Sequence, residues 1–222
     1  MSLTPSRRVT LAWMAAAAAS PWALAGCADS TGWRDANPRP ITGDGYGRDP
    51  DLMNPETPWP LTLSDAQRAL VRICADIIIP ADGASPGAGS LGVDAFVDEW
   101  ISAPYAQQQD DRALILSGLA WLDREAGRRF GKKFDAIEDA QRREIFDDIA
   151  FSERVKEGHG KQAEFFARLR GLIMSGFYTL PEGIADLGYM GNSPILGPYP
   201  GPSAEALAHL REKLAELGLP TR

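Results

Sequence analysis

From Leu61 to Gly218 apolar residues recur every three to four positions, and no stretch of useful length alternates with period two. That periodicity admits amphipathic helices and leaves little room for a sheet, whose half-buried strands need apolar residues at every second position. In LTLSDAQRALVRICADIII, Ser64 followed by Gln67 is a capping box, and Leu70, Val71, Cys74, Ile77 and Ile78 form one face that Pro80 ends. A short helix is expected over about Val93 to Ser102, with Val93, Phe96, Val97 and Trp100 on one side. A long one follows from about Gln108 to Phe130, carrying Leu114, Ile115, Leu119 and Leu122. Further helices are expected over Asp139 to Phe151, over Lys161 to Tyr178, and after Pro202, where Ser203 is the cap and Gly218 the stop. The expected fold is all-α, a compact irregular bundle of about five to seven helices with an extended N-terminal tether.

Three segments follow from composition along the chain: an export signal over 1–26, a Pro/Gly-rich tether or strap over 27–60, and a helical domain over 61–222. The first reads MSLTPSRRVTLAWMAAAAASPWALAGC, with no acid before Asp29, a basic pair at Arg7 and Arg8, and an apolar run from Val9 to Gly26. Basic residues before a moderately apolar stretch, interrupted here by Pro21, are the layout of a processed signal rather than of a membrane span. Ser6-Arg7-Arg8-Val9-Thr10-Leu11 resembles the twin-arginine pattern, with Thr10 where Phe is usual, an address for a translocase that carries folded cargo. Two cleavages stay open. Ala23-Leu24-Ala25 suits the ordinary signal peptidase, and Leu24-Ala25-Gly26-Cys27 resembles a lipobox with Cys27 as the acylated residue; the lipobox is favoured. The expected location is the periplasm, with a lipid tether at Cys27.

Charge and cysteine usage exclude several classes of function. A chain of 222 residues with net charge −7 has no basic stripe for a phosphate backbone, so nucleic acid is not an expected partner. With two cysteines and no C-x-x-C-H, the chain offers neither a covalent haem site nor the thiolates of an ordinary iron–sulfur cluster. His159 and His209 lack ligand-spaced neighbours, so no metal site is expected. The acid pairs Asp110-Asp111 and Asp147-Asp148 are adjacent on helices, where side chains diverge by about 100° and cannot serve one site together. Ser175 and Ser193 have no G-x-S-x-G elbow, and no catalytic residue is assigned.

One motif invites a different reading. GAGSLG, over Gly87 to Gly92, is a literal G-x-G-x-x-G. A dinucleotide fingerprint needs a strand directly before the first glycine and an acid at the end of a second strand. Here a capped helix and Pro80 precede it, and the region about twenty residues on is SAPYAQQQDD. The glycines are expected to form a turn between helices, with no cofactor bound by this chain.

The residues around that turn are more informative. Ala75-Asp76-Ile77-Ile78-Ile79-Pro80-Ala81-Asp82, then Pro86-Gly87, then Gly92-Val93 leading to Phe96-Val97-Asp98, resemble the gluconate 2-dehydrogenase subunit 3 family. Gly176-Phe177-Tyr178-Thr179, Gly183, Leu187-Gly188-Tyr189 and Gly191-Asn192 are similar to its later signature, so the resemblance runs from about Leu61 to Pro200. It implies a small non-catalytic subunit of a FAD-dependent sugar or sugar-acid dehydrogenase. The flavin would belong to a large partner subunit of the glucose-methanol-choline type, and some such complexes add a cytochrome c subunit. The small subunit would help the large one fold and carry it through the twin-arginine translocase on the signal at Arg7 and Arg8.

In FYTLPEGIADLGYMGNSPILGPYPGP, rigid turns present aromatic residues that suit partner contact, with Tyr178, Tyr189, Met190, Asn192 and Tyr199 as interface candidates. The same loop could pack on its own bundle. Core is favoured for Phe177 and Leu187, and Asn192 could cap its own turn. The alternative to the accessory subunit is a stand-alone periplasmic lipoprotein binding an unrelated ligand or partner; a hydrolase is the weakest reading.

Overall fold

A computed structural model describes residues 31–47, 51–53, 55–83, 85–189, 191, 197–198 and 200–220. Arg7, Arg8, Cys27, Met190, Asn192 and Tyr199 lie outside them. The described residues contain seven α-helices and no strand: α1 (Asp65–Ile78), α2 (Val93–Ser102), α3 (Ala106–Phe130), α4 (Asp139–Asp147), α5 (Gly160–Tyr178), α6 (Pro181–Asp186) and α7 (Ala204–Glu216). The chain is all-α, as its periodicity predicts.

Local chemistry sets most of the boundaries. The Ser64 hydroxyl accepts from the Gln67 amide at 3.3 Å and the Gln67 side chain accepts from the Ser64 amide at 2.9 Å, so the capping box that starts α1 is complete. Gly131, at φ 70, is the left-handed residue that stops α3. Two expected boundaries shift. The long helix starts at Ala106, two residues earlier than expected, and the helix expected to reach Phe151 ends at Asp147. There the amides of Ile149 and Ala150 both turn back to the carbonyl of Phe146, and the Lys156 amide takes the carbonyl of Asp148. The short helix α6 and the 3₁₀ turns at Ala88–Leu91, Phe134–Ala136 and Ser152–Arg154 carry too few residues for a periodic signal.

The core lies where α3 and α5 cross beneath α1 and α2. Ile115, Leu119, Trp121 and Leu122 of α3 and Phe165, Leu169, Ile173 and Phe177 of α5 are almost wholly buried, with Val71 and Cys74 of α1 and Val97 and Ile101 of α2. Gly118 permits the crossing: a Cβ there would lie 2.0 Å from the Phe165 ring. Removing such side chains from water is worth about 1.5–3 kcal/mol each, so their close approach carries much of the fold.

Residues 31–47 lie along this chain's own α3 and run antiparallel to it. Nε1 of Trp121 donates to the carbonyl of Thr31 at 2.8 Å, and Nε of Arg124 to that of Gly32 at 3.0 Å. The Ala36 amide donates to Ser117 at 2.8 Å and the Ile41 amide to Oε1 of Gln109 at 3.2 Å, while Arg112 donates to the Arg39 carbonyl at 2.7 Å. The Tyr46 amide donates to the Tyr105 hydroxyl at 2.9 Å. An extended segment without a neighbouring strand must satisfy its backbone elsewhere, and here the side chains of one helix do so. Trp33 is buried in the core with its ring 6.4 Å from that of Phe165.

The chain divides into two compact units, Met1–Leu187 and Gly188–Arg222. In the second, α7 is capped by the Ser203 hydroxyl, which accepts from the Ala206 amide at 3.1 Å, and Gly218 follows its end at φ 66.

Candidate functional site

The glycine-rich turn folds around a carboxylate of this chain. Asp76, in the last turn of α1, accepts from the Gly89 amide through Oδ1 at 2.9 Å. A Cβ at Gly87 or at Gly89 would come within 2.5 Å of that carboxylate, and one at Gly89 would also lie 2.5 Å from the carbonyl of Arg72. The Ala88 amide closes the turn on the Ile79 carbonyl at 3.1 Å, and Gly92, at φ 76, starts α2. A phosphate loop offers amides to an anion; here the Gly89 amide already has its anion, and a phosphate beside it would meet like charge.

The interior acids are tied to structural partners. Asp94 holds Arg68 at 3.0 Å and Arg72 at 2.9 Å, joining α1 to α2. Through Oδ1, Asp98 accepts from the amides of Thr62 and Leu63 and from the Ser102 hydroxyl, which fixes the chain as it enters α1. Asp111 takes both forks of Arg168 and the indole N–H of Trp100, the latter at 2.7 Å. Its neighbour Asp110 is exposed, and Asp147 is likewise exposed beside the half-buried Asp148. The members of each pair point apart, as their helical spacing predicts.

A larger network sits at the end of α3. Glu125, only 4% exposed, accepts from Arg128 and Arg129 at 2.7 Å. The Arg128 hydrogen bond, with that of Arg129 and against the cost of burial, holds its carboxyl at about 2. Burial works against ionising Asp148, yet hydrogen bonds from Arg129 and Lys156 outweigh it and keep that carboxyl below its usual range. Cys74 is fully buried on α1 and burial pushes its thiol up to about 12, so it stays protonated and is no nucleophile. His159 sits in the turn before α5 but is buried, edge-on to Trp121 at 6.3 Å, with Nδ1 3.0 Å from the Glu157 carbonyl. Its packing role was not legible in EGHGK.

The expected interface residues divide. Tyr178 is half-buried against the core with its ring edge-on to Phe177 at 5.0 Å. Tyr189 is 56% exposed, in the second unit. Phe177 is fully buried, as expected, whereas Leu187, expected in the core, is 61% exposed. The reason lies in α6, which meets α5 through Gly183: a Cβ there would stand 2.2 Å from the carbonyl of Phe177, and Leu187 falls at the far end of this short helix.

A surface that sequence reasoning missed lies around Phe151. Two neighbouring concavities, of about 320 and 240 Å³, share Ala150, Phe151, Phe166 and Arg170, and reach Ile77 and Ile78 on one side and Val155 on the other. Phe151 is 44% exposed between them, with the guanidinium of Arg154 4.4 Å from its ring centre. The only sequence signal was an aromatic residue just past a helix end.

No curated protein and no solved structure matches the chain. A family model does, that of gluconate 2-dehydrogenase subunit 3, over residues 65–201. The match takes in more than half of the chain, including α1 to α6 and the Asp76–Gly89 turn, so this protein belongs to the gluconate 2-dehydrogenase subunit 3 family.

Proposed function

We propose that the chain is the non-catalytic small subunit of a periplasmic FAD-dependent sugar dehydrogenase, which helps the flavoprotein large subunit fold and carries it through the twin-arginine translocase. The observation that carries this reading is the family match over residues 65–201. The basic pair Arg7-Arg8 ahead of an apolar run supports the export route. A flavin has to be inserted before export, so a route for folded cargo suits a complex whose small subunit holds the signal. The large subunit, of the glucose-methanol-choline type, supplies the FAD and the chemistry, and a cytochrome c subunit would pass electrons onward. Lipid at Cys27 would tether the complex to the membrane, and Tyr189, exposed beyond α6, would be among the partner contacts.

Co-expression of the large subunit with and without this chain tests the reading. The flavin-loaded large subunit should reach the periplasm only when this chain is present; equal yields would remove the chaperone role. Arg7→Lys with Arg8→Lys should hold both chains in the cytoplasm. Retention of this chain alone would show that the large subunit does not travel on its signal.

A further inference from the structure

Where the strap passes the end of α2, five aromatic side chains and one carboxylate surround a cavity of about 180 Å³. Its lining comprises Tyr46, Trp59, Phe96, Trp100 and Tyr105 with Glu99, alongside Ala103 and Gln108. Trp59 is nearly buried, and the rings of Tyr46 and Tyr105 stand at 69° and 85° to its plane, with centroids 4.9 and 5.9 Å away. Phe96 and Trp100 lie near-parallel to each other at 6.5 Å. The walls are therefore steep and held in place. Tyr46 is fixed through its amide to Tyr105, Trp59 through Nε1 to the Glu99 carbonyl at 3.1 Å, and Trp100 through Nε1 to Asp111.

Glu99 supplies the charge. Its Oε1 accepts from the Tyr46 hydroxyl at 3.2 Å, and among the described residues no lysine, arginine or histidine forms an ion pair with it. Asp94 and Asp111 are each paired with arginines, so Glu99 differs from them in having no cationic partner among the described residues. The faces of aromatic rings attract cations, and the attraction grows where water is excluded. A bare ammonium is strongly hydrated and would lose hydrogen bonds against these walls, whereas a methylated one has few to lose. Drug-sized ligands occupy about 300–1,000 Å³, so a cavity this small suits a headgroup only.

We infer that the box of Tyr46, Trp59, Trp100 and Tyr105 with Glu99 is a binding site for a quaternary or fully methylated ammonium group. The site stands apart from the role in export, since its residues need no partner chain to be in place. The group could be a free solute or the headgroup of a membrane lipid, which share this chemistry.

Tetramethylammonium titrated into the full chain by calorimetry tests the site, with the indole N–H signals of Trp59 and Trp100 followed by NMR to locate it. Saturable binding that moves those two signals is expected. Glu99→Gln, which keeps the shape and removes the charge, should weaken it about tenfold or more, as should Tyr46→Leu. A neutral isostere, tert-butanol, should bind at least tenfold more weakly. Unchanged melting of both variants would show that they fold. Absence of saturable binding, equal binding of the neutral probe, or indifference to Glu99→Gln would overturn the inference. Co-sedimentation with phosphatidylcholine but not phosphatidylglycerol vesicles, competed by tetramethylammonium, would assign a lipid headgroup; binding of the free ion alone would assign a solute.

Discussion

The Gly89 amide donates to Oδ1 of Asp76 at 2.9 Å, so the last turn of one helix caps the glycine-rich turn that leads to the next. A methyl group at position 89 would meet the Arg72 carbonyl and the Asp76 carboxylate, both at 2.5 Å, and backbone cannot rotate away. Gly89→Ala should therefore cost about 1–3 kcal/mol. Asp76→Ala, which leaves the amide to water at a partly exposed site, should cost about 1 kcal/mol and Asp76→Asn less. Urea unfolding of the three variants checks the order; an unaffected Gly89→Ala would mean the turn is looser than described.

Glu125 makes stability depend on pH. Its folded carboxyl sits at about 2 against an ordinary 4.5, so its contribution is complete above about 4.5 and is lost as pH falls towards 2. Asp148, also held low, acts in the same direction. The Glu125 shift corresponds to something on the order of 3 kcal/mol. Glu125→Gln should lower stability at pH 7 and flatten its fall between pH 4.5 and 2. Denaturant midpoints across that range would show it, and parallel curves for both proteins would exclude the assignment.

The strap should be released by small changes in α3. Ser117→Ala with Gln109→Ala removes the acceptors of the Ala36 and Ile41 amides, at a combined cost of about 1–3 kcal/mol. Limited proteolysis with mass analysis should then find cuts within residues 36–46 well before the helices are attacked. Unchanged cutting would indicate that Trp33 and Trp121 hold the strap by themselves.

Gly118→Ala should be among the most damaging single methyl additions, because its Cβ would overlap the Phe165 ring. A loss of about 3 kcal/mol is expected. Phe165→Leu, itself destabilising, should restore part of the loss when combined with it, a departure from additivity that marks direct contact. Thermal melts of the two single variants and the double variant complete the cycle.

Ser64 with Gln67, Ser203, Pro80 and the spacing of Leu70, Val71 and Cys74 lie within a few residues of the structure they dictate, so α1 and the start of α7 follow from them. The family signature was legible for the same reason, since its residues cluster on both sides of two turns. Leu187 and Phe151 were not, because exposure at a helix end depends on what a neighbouring helix presents. The sites were the least legible: Tyr46 and Trp59 lie some forty to fifty residues from Glu99, and nothing in either stretch refers to the other.

The sequence by itself determined that this chain is helical and where most helices begin and stop, because capping and periodicity act over one or two turns; the motifs around two of its turns carried the family. Only the tertiary structure decided that GAGSLG closes on Asp76, that residues 31–47 lie along α3, and that five rings meet around Glu99. Those contacts join residues up to 92 positions apart, and tertiary packing, not any local preference, brings them together.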